Sequence, residues 1–493
     1  MDDRPDQGSG AAPGRVRAIV LAAGAGRRFG GHKLEARFGG RPILQHVLDA
    51  LAAAGLDDPI VVVAAAEPAG RPADAMAWRR AERVVNPDPA RGLASSLQLG
   101  WRAALAVDPP PQAVLVVLGD QPRLQPDVVR ALLDAPNDAS RPVVAPRYRG
   151  SGDRNPVRIE RAGGALVDAA TGDRGLGPVL DAEPSLVRWL DVEGDNPDLD
   201  ERADLALLAE ADWAERVRRN GAQVLRIREG GEEADHYAPV TGLFRDDPRR
   251  AGDPVLDRLR SVSRPGDTWL DVGAGAGRFT LPLALSVREV IAVEPSPGMV
   301  SALREGVTEQ GLDNVRIVEG RWPDAAGELG TPPFADVAMI AHVGHDTAAI
   351  GPFLDALEAA ARRTCIAVMQ ELPPASLAAP FFLAVHGERR EPLPALADFV
   401  DLLEARGARP EVELVSRPAR GWCSRDDLVG FLRRQTWVMP GSGGDHALEA
   451  ELDRLAVPRA GPVTQPTDGA TRIGIVRWVG PPQAGSSSGR PKR

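Results

Sequence analysis

The sequence predicts an α/β protein built from two three-layer domains in tandem, each a mostly parallel sheet with helices on both faces. Three observations carry this. Short apolar runs alternate with helix-period segments over two long stretches, the pattern of a sheet wrapped by helices. Each stretch opens with a strand that runs straight into a glycine-rich turn, Leu21 to Gly30 and Leu270 to Gly277. Between them lies a charged, glycine-containing stretch, Arg228-Glu229-Gly230-Gly231-Glu232-Glu233, with the composition of a linker.

The first stretch starts with an apolar strand, Arg17 to Ala23, followed by a helix over 43–54, a strand over 60–65, a helix over 95–106 and a strand over 113–118. Helical periodicity returns from Asp200 to Asn220. The second stretch reads as strand 268–272, strand 289–294, helix 298–310, strand 315–319, strand 337–341, strand 365–369 and a terminal strand 472–479. The expected division is a tail at 1–14, a first domain at 15–210, helix and linker at 211–234, a second domain at 235–480 and a tail at 481–493. Both tails are rich in Gly, Pro, Ser and charge and lack apolar periodicity. The halves are not an internal repeat, since their glycine spacings differ.

Composition narrows the function. A net charge of -10 repels a nucleic-acid backbone unless basic groups are segregated, and no long basic run occurs. Small-molecule partners are therefore expected, with no nucleic acid. Cys365 and Cys423 are too few for a disulfide framework and lack metal-ligand spacing, which points to a reduced, cytoplasmic setting. No apolar stretch reaches the length of a membrane span, and the acidic N-terminus lacks the pattern of a signal peptide. Composition leaves the oligomeric state open.

The chain has 57 arginines and only two lysines, Lys33 and Lys492. Lys33 closes the first glycine-rich run, where Gly24, Gly26 and Gly30 would let backbone N–H groups approach phosphates, and where Arg27, Arg28 and Lys33 add positive charge. The spacing is neither the dinucleotide fingerprint nor a P-loop. Leu118-Gly119-Asp120-Gln121-Pro122 then places a carboxylate at the end of an apolar strand, where open α/β sheets bind ligands and where one carboxylate can hold Mg²⁺ on a triphosphate. Taken alone, Asp120 could equally begin a turn.

These motifs make residues 16 to about 210 resemble the molybdenum-cofactor nucleotidylyltransferases, a GT-A-like branch of the nucleotidyltransferases. Leu21, Ala22, Ala23, Gly24, Arg28, Gly30 and Lys33 match the opening motif, and the double alanine is similar to the cytidylyl-transferring branch. Gly92-Leu93-Ala94-Ser95-Ser96 resembles the segment that helps hold the nucleotide, which implicates Gly92, Ser95 and Ser96. Asp198-Leu199-Asp200 resembles the late motif that supplies a second carboxylate. The resemblance implies CTP as substrate, Mg²⁺ on Asp120 and Asp200, and Arg28 and Lys33 as catalytic groups. It also implies attack by a phosphorylated acceptor, such as the molybdopterin cofactor, with loss of pyrophosphate. On the acceptor side the chain departs from the family pattern: Arg154-Asn155-Pro156 stands for Gly-His-Pro, and Gly172 to Gly177 for Gly-Asp-x-Gly-Ala-Arg. A sugar phosphate or another cofactor precursor therefore stays open as acceptor.

In the second domain Asp271, Gly273, Gly275 and Gly277, with Glu294 at the end of the next strand, suit a ligand pressed onto the backbone with its ribose hydroxyls on a carboxylate. A dinucleotide would use the same logic but would want Gly-x-Gly-x-x-Gly. The stretch from about Asp235 to Gly480 resembles class I S-adenosylmethionine-dependent methyltransferases, a Rossmann-like fold. That implies S-adenosylmethionine as methyl donor, held by Asp271, Gly273, Gly275, Gly277 and Glu294. Trp322 either stacks on the adenine or packs in the core. His342 and His345 follow the fourth strand, where acceptors bind in this fold, as candidate catalytic bases or as ordinary loop residues. The expected protein is a fused, bifunctional enzyme. A half that is catalytically silent and acts as a ligand sensor or scaffold is the alternative.

Overall fold

The computed structural model describes residues 15–480 apart from 66–75, 79, 150–153, 232–234, 236, 374–375, 377, 418–420 and 465–470. The expected tails and Lys492 lie outside the described residues, as does the end of the expected linker. The chain divides into two compact units, Met1–Leu205 and Ala206–Arg493.

In the first unit, β1 (Val16–Ala22) leads through a small hairpin, β2 (Arg37–Phe38) and β3 (Arg41–Pro42), to α1 (Ile43–Ala53). There follow β4 (Ile60–Ala64), β5 (Glu82–Asn86), α2 (Leu93–Leu105), β6 (Ala113–Leu118), α3 (Pro126–Asp134), β7 (Val143–Tyr148), β8 (Val157–Glu160), α4 (Gly164–Ala169), α5 (Gly177–Ala182) and β9 (Val187–Val192). The seven-stranded sheet has the order β5-β4-β1-β6-β8-β7-β9. All neighbours run parallel except β8, which opposes both β6 and β7. The central strands bury side chains on both faces. Ile19, Leu21, Val114 and Val116 pack against Leu97 and Trp101 of α2. On the opposite face Ala18, Val20, Leu115 and Val117 pack against α1 and α3. Two-sided burial explains why these strands read as continuous apolar runs.

Helix α6 (Arg202–Ile227) opens the second unit after its first turn. Its Trp213 is buried, donates its indole N–H to the Thr347 carbonyl at 3.1 Å, and meets Phe399 edge to face. The start of the charged stretch expected as linker is tied down as well: Glu229 donates its N–H to the Trp437 carbonyl and accepts the Met439 N–H. The expected boundary near residue 210 therefore falls inside a helix.

The second unit continues with α7 (Pro254–Val262), β10 (Thr268–Val272), α8 (Thr280–Ala284), β11 (Glu289–Glu294), α9 (Pro297–Gln310), β12 (Val315–Glu319), β13 (Ala335–Ala341), α10 (Ile350–Ala360) and β14 (Ala361–Gln370). After these come α11 (Ala379–His386), α12 (Leu396–Ala405), β15 (Glu411–Arg417), β16 (Gly421–Trp422), α13 (Arg425–Thr436), α14 (Gly443–Arg454), β17 (Val463–Thr464) and β18 (Thr471–Trp478). The sheet order is β12-β11-β10-β13-β14-β18-β15. Strands β10 to β14 run parallel, while β18 inserts antiparallel between β14 and β15. Helices α11, α13 and α14 build a separate small core around Phe381, Leu428, Leu432 and Leu448, a helical subdomain termed the cap. Both units are thus mixed rather than purely parallel sheets.

Candidate functional sites

In the first unit the turn after β1 closes on itself, with Gly30 and Gly31 donating N–H groups to the Arg27 and Gly26 carbonyls. Gly26 has φ +56, and a Cβ there would stand 3.2 Å from the Lys33 Cβ. Glycine is what allows the loop to fold onto the lysine stem. The end of β6 approaches β1 equally closely, with Gly119 donating to the Leu21 carbonyl at 3.0 Å. That contact carries Asp120 to the lysine: Lys33 Nζ lies 2.6 Å from Asp120 Oδ2 and 3.6 Å from Asp200 Oδ1. Arg28 Nη2 reaches the other oxygen of Asp200 at 2.9 Å. Lys33 is largely buried, with 11% of its side chain exposed, whereas Arg28 is open to solvent.

Three groups widely spaced in sequence therefore converge at the carboxyl edge of β1 and β6. Asp200 is carried there by a network that sequence reasoning missed. Gln121 is fully buried, donates to the Asn196 carbonyl and to the Asp198 carboxylate, and accepts from the Asn196 side chain. Leu199 donates its N–H to the Asp120 carbonyl. Glutamine directly after a strand-end aspartate was the available sign, but its partners lie more than 70 residues away.

Leu21, Ala22 and Ala23 are buried, so only their backbone could face a ligand. The Ser95 and Ser96 hydroxyls both accept from Asn86 at the end of β5, and Ser95 donates to the Gly92 carbonyl. Asn86 is a second group that sequence reasoning missed. A Cβ on Gly92 would come within 2.5 Å of Gly172, which fixes the start of α2 against the Gly172 to Gly177 loop. Arg154 pairs with Asp181.

The donor set of this site fits a divalent cation. Mg²⁺ takes one or two carboxylates and leaves its other positions to water and phosphate. Asp120 and Asp200 already share a cation in Lys33, and Asp120 Oδ1 is buried with no hydrogen-bond partner. No cluster of three or more acidic, histidine or cysteine ligands occurs among the described residues, so phosphate oxygens would have to complete the shell.

In the second unit Glu294 ends β11 and folds back on the glycine turn. One of its oxygens accepts the Gly275 N–H at 2.8 Å and the other the Ser296 N–H at 2.9 Å. A carboxylate has about four acceptor positions, so room remains for ribose hydroxyls. Burial pushes its pKa upward, partly offset by the two backbone donors. Gly273 has φ +75, and a Cβ there would lie 2.4 Å from a Val343 methyl, so the turn cannot accept a side chain. At Gly275 nothing would meet a Cβ, leaving open space above the turn.

Asp271 is buried in β10. Its Oδ2 accepts from the Thr280 hydroxyl at 2.6 Å, and its Oδ1 has no partner. An orphaned carboxylate oxygen beside a glycine cradle fits a cationic ligand such as S-adenosylmethionine.

Burial pushes the Asp271 pKa up to about 6, above its unfolded value of 3.8. The folded state then holds this proton more tightly, so the contribution of Asp271 to stability is fully present below about pH 4 and is lost as pH rises through 6. Asp271→Asn is expected to raise urea stability at pH 8 by about 2 kcal/mol, with the gain vanishing toward pH 4. It should also weaken S-adenosylmethionine binding in calorimetry. A stability loss equal at both pH values would reject this account.

The two histidines differ. His342 sits at φ +60, with its N–H on the Val368 carbonyl. His345 is 5% exposed; its Nδ1–H donates to the Pro394 carbonyl at 2.8 Å, which leaves the lone pair on Nε2, buried and without a partner. Burial pushes its pKa down. Trp322 is a core residue here: it is 5% exposed and donates its indole N–H to the Phe353 carbonyl. Its indole lies in the same core cluster as Phe353 and Leu354 of α10, which favours packing over stacking on an adenine.

Each unit thus places a glycine-rich turn and strand-end carboxylates at one edge of its sheet. Residues 18–188 match the family model of the MobA-like NTP transferase domain, and residues 270–361 match that of the methyltransferase domain. The chain is a fusion of the two.

A probable molybdenum cofactor guanylyltransferase of Thermococcus kodakarensis is 33% identical over 129 residues, covering 26% of this chain and 58% of that protein. The 23S rRNA (uracil(1939)-C(5))-methyltransferase RlmD of Xanthomonas campestris is 48% identical over 55 residues, 11% of this chain and 12% of its own length. The chain thus spans about an eighth of the length of that methyltransferase. Among solved structures, Rv0371c of Mycobacterium tuberculosis is 27% identical, covering 40% of this chain and 98% of its own, with a TM-score of 0.35. YcgJ of Bacillus subtilis is 14% identical, covering 45% and 97%, with a TM-score of 0.33. No helix among the described residues is long and apolar enough to cross a membrane.

Proposed function

We propose that the first unit transfers a nucleotidyl group from a nucleoside triphosphate to a phosphorylated acceptor, with pyrophosphate as leaving group. The observation that carries this is the convergence of Lys33, Asp120, Asp200 and Arg28 at one sheet edge. An oxygen of the acceptor phosphate attacks the α-phosphorus, and the bond to the β-phosphate oxygen breaks. Lys33 and Arg28 neutralise charge on the phosphates, and the Gly24 to Gly30 turn offers backbone donors; the work is positioning and electrostatics. Asp120 and Asp200 would hold Mg²⁺, which supplies Lewis-acid stabilisation of the phosphate oxygens. CTP is the proposed donor, on the double alanine Ala22-Ala23. GTP is the second reading, favoured by the guanylyltransferase relative. Calorimetric titration of the full chain with CTP and with GTP, each with Mg²⁺, separates them; binding of neither overturns the first-site reading.

The second unit, in this proposal, transfers a methyl group from S-adenosylmethionine to a small molecule. Glu294, held between Gly275 and Ser296 beside an open glycine turn, is the observation behind it. His345 Nε2 is the proposed proton acceptor, with His342 beside it in the same loop. A net charge of -10 favours a small acceptor over RNA, while the relatives that methylate 23S rRNA favour the opposite. Radiolabelled methyl transfer to bulk ribosomal RNA, compared with a small-molecule extract, decides between the two. Two free cysteines, one buried and one exposed, support a cytoplasmic setting.

A further inference from the structure

The cap of the second unit holds a charge that neither site uses. Between α11 and α12 the chain runs along α6, which takes up its backbone. Gln223 donates to the Arg389 carbonyl and accepts the Glu391 N–H, and Asn220 donates to the Glu391 carbonyl. Arg390 instead packs onto the ring of Phe382 in α11, its guanidinium carbon 5.6 Å from the centroid. Its Nη1 donates to the Gln435 carbonyl near the end of α13 at 2.8 Å, and its Nε is buried without a partner.

Among the described residues no carboxylate pairs with Arg390. Other arginines of the cap behave differently: Arg425 pairs with Glu449 and Asp453, and Arg433 with Asp445. Arg390 is partly buried, and drawing a guanidinium part-way out of water without a counter-charge carries a cost that one carbonyl and one ring face offset only in part. Desolvation alone pushes the Arg390 pKa down to about 10.

The surroundings tie Arg390 to the methyl-donor cradle. Four residues on, Pro394 accepts the His345 Nδ1–H, and Val343 of the same loop lies against Gly273. Arg434, beside Gln435, and Glu294 both lie near enough to the Tyr237 hydroxyl to bias its ionisation, the arginine downward and the carboxylate upward.

We propose that Arg390 is the counter-charge for an oxyanion, a carboxylate or phosphate group, carried by the methyl acceptor, so that the cap contains an anion subsite. The proposal rests on the methyl-transfer reading of the second unit. A guanidinium fork suits a planar carboxylate or a phosphate through paired hydrogen bonds. An anionic acceptor would supply the missing charge and be oriented from its far end, with its reactive atom left toward the donor.

The test uses the full chain carrying Lys33→Ala, which removes a phosphate contact from the first unit. Calorimetric titration with inorganic phosphate is expected to show a binding event that Arg390→Gln weakens at least about tenfold and that Arg390→Lys partly restores. Acetate titrated in parallel assigns the subsite to carboxylate if it binds as well as phosphate, and to phosphate if it binds more weakly. Without added anion, Arg390→Gln is expected to be at least as stable to urea as its parent, since a partly buried charge without a carboxylate partner has been removed. A phosphate isotherm that Arg390→Gln leaves unchanged overturns the proposal, whatever happens to stability. S-adenosylmethionine titrated into the same samples reports the donor site separately. If the donor fails to bind any form, the methyl-transfer reading falls, while the phosphate isotherm still judges Arg390.

Discussion

Replacing Lys33 with alanine is expected to slow pyrophosphate release from the nucleoside triphosphate by about 10²–10³-fold, and Lys33→Arg is expected not to restore it. The ammonium sits 2.6 Å from one carboxylate and 3.6 Å from the other, at the end of a stem packed against Gly26. A guanidinium is larger and planar, and cannot take a point position between two carboxylates while its stem stays under the turn. Asp120→Asn should cause a loss of similar size by removing a charge from the proposed Mg²⁺ site. Steady-state pyrophosphate assays on the three variants check this. A Lys33→Ala enzyme within a few-fold of the parent would remove Lys33 from the chemistry.

The second large effect is expected at Glu294. In Glu294→Gln one carboxylate oxygen becomes an amide –NH₂, which must face either the Gly275 or the Ser296 N–H, so donor meets donor. One ribose acceptor is lost, and the glycine turn loses an anchor. S-adenosylmethionine binding should weaken by about 100-fold, the sum of two charge-assisted hydrogen bonds. Pyrophosphate release by the same variant, unchanged, serves as the internal control. Donor affinity equal to the parent would show that Glu294 is a structural brace alone.

Much of both sheets was legible because their central strands are buried on two faces. Strands β6, β10, β11 and β12 begin and end at the residues expected from the sequence, although β12, with Arg316 and Glu319, lies at a sheet edge. Other strands were hidden for definable reasons. β7 contains Pro146, β8 has only four residues, and β15 alternates Glu411, Glu413 with Val412, Leu414 at a sheet edge, where Val412 is 43% exposed. None of these shows the uninterrupted apolar run that marks a central strand.

The candidate sites divide in the same way. Lys33, Asp120 and Glu294 stand at strand ends or glycine turns, positions that sequence order reveals. Gln121 and Asn196 act through partners remote in the chain, so only folding discloses them, while Asn86 stands at the end of a strand only nine and ten residues before the serines it bonds. Trp322 was ambiguous because a tryptophan after a strand can pack or stack, and its neighbours in α10 decide for packing.

The scarcity of lysine gives the first site an unusual chemical address. Lys33 carries the one ε-amine among the described residues, and Lys492 is the other in the chain. Reductive methylation with isotopically labelled formaldehyde would therefore mark very few nitrogens: these two and the amino terminus. A dimethylamine held between two carboxylates resonates apart from solvent-exposed ones, so a spectrum of two or three signals could follow nucleotide and metal arriving at this pocket in a 52.3 kDa chain without assigning anything else.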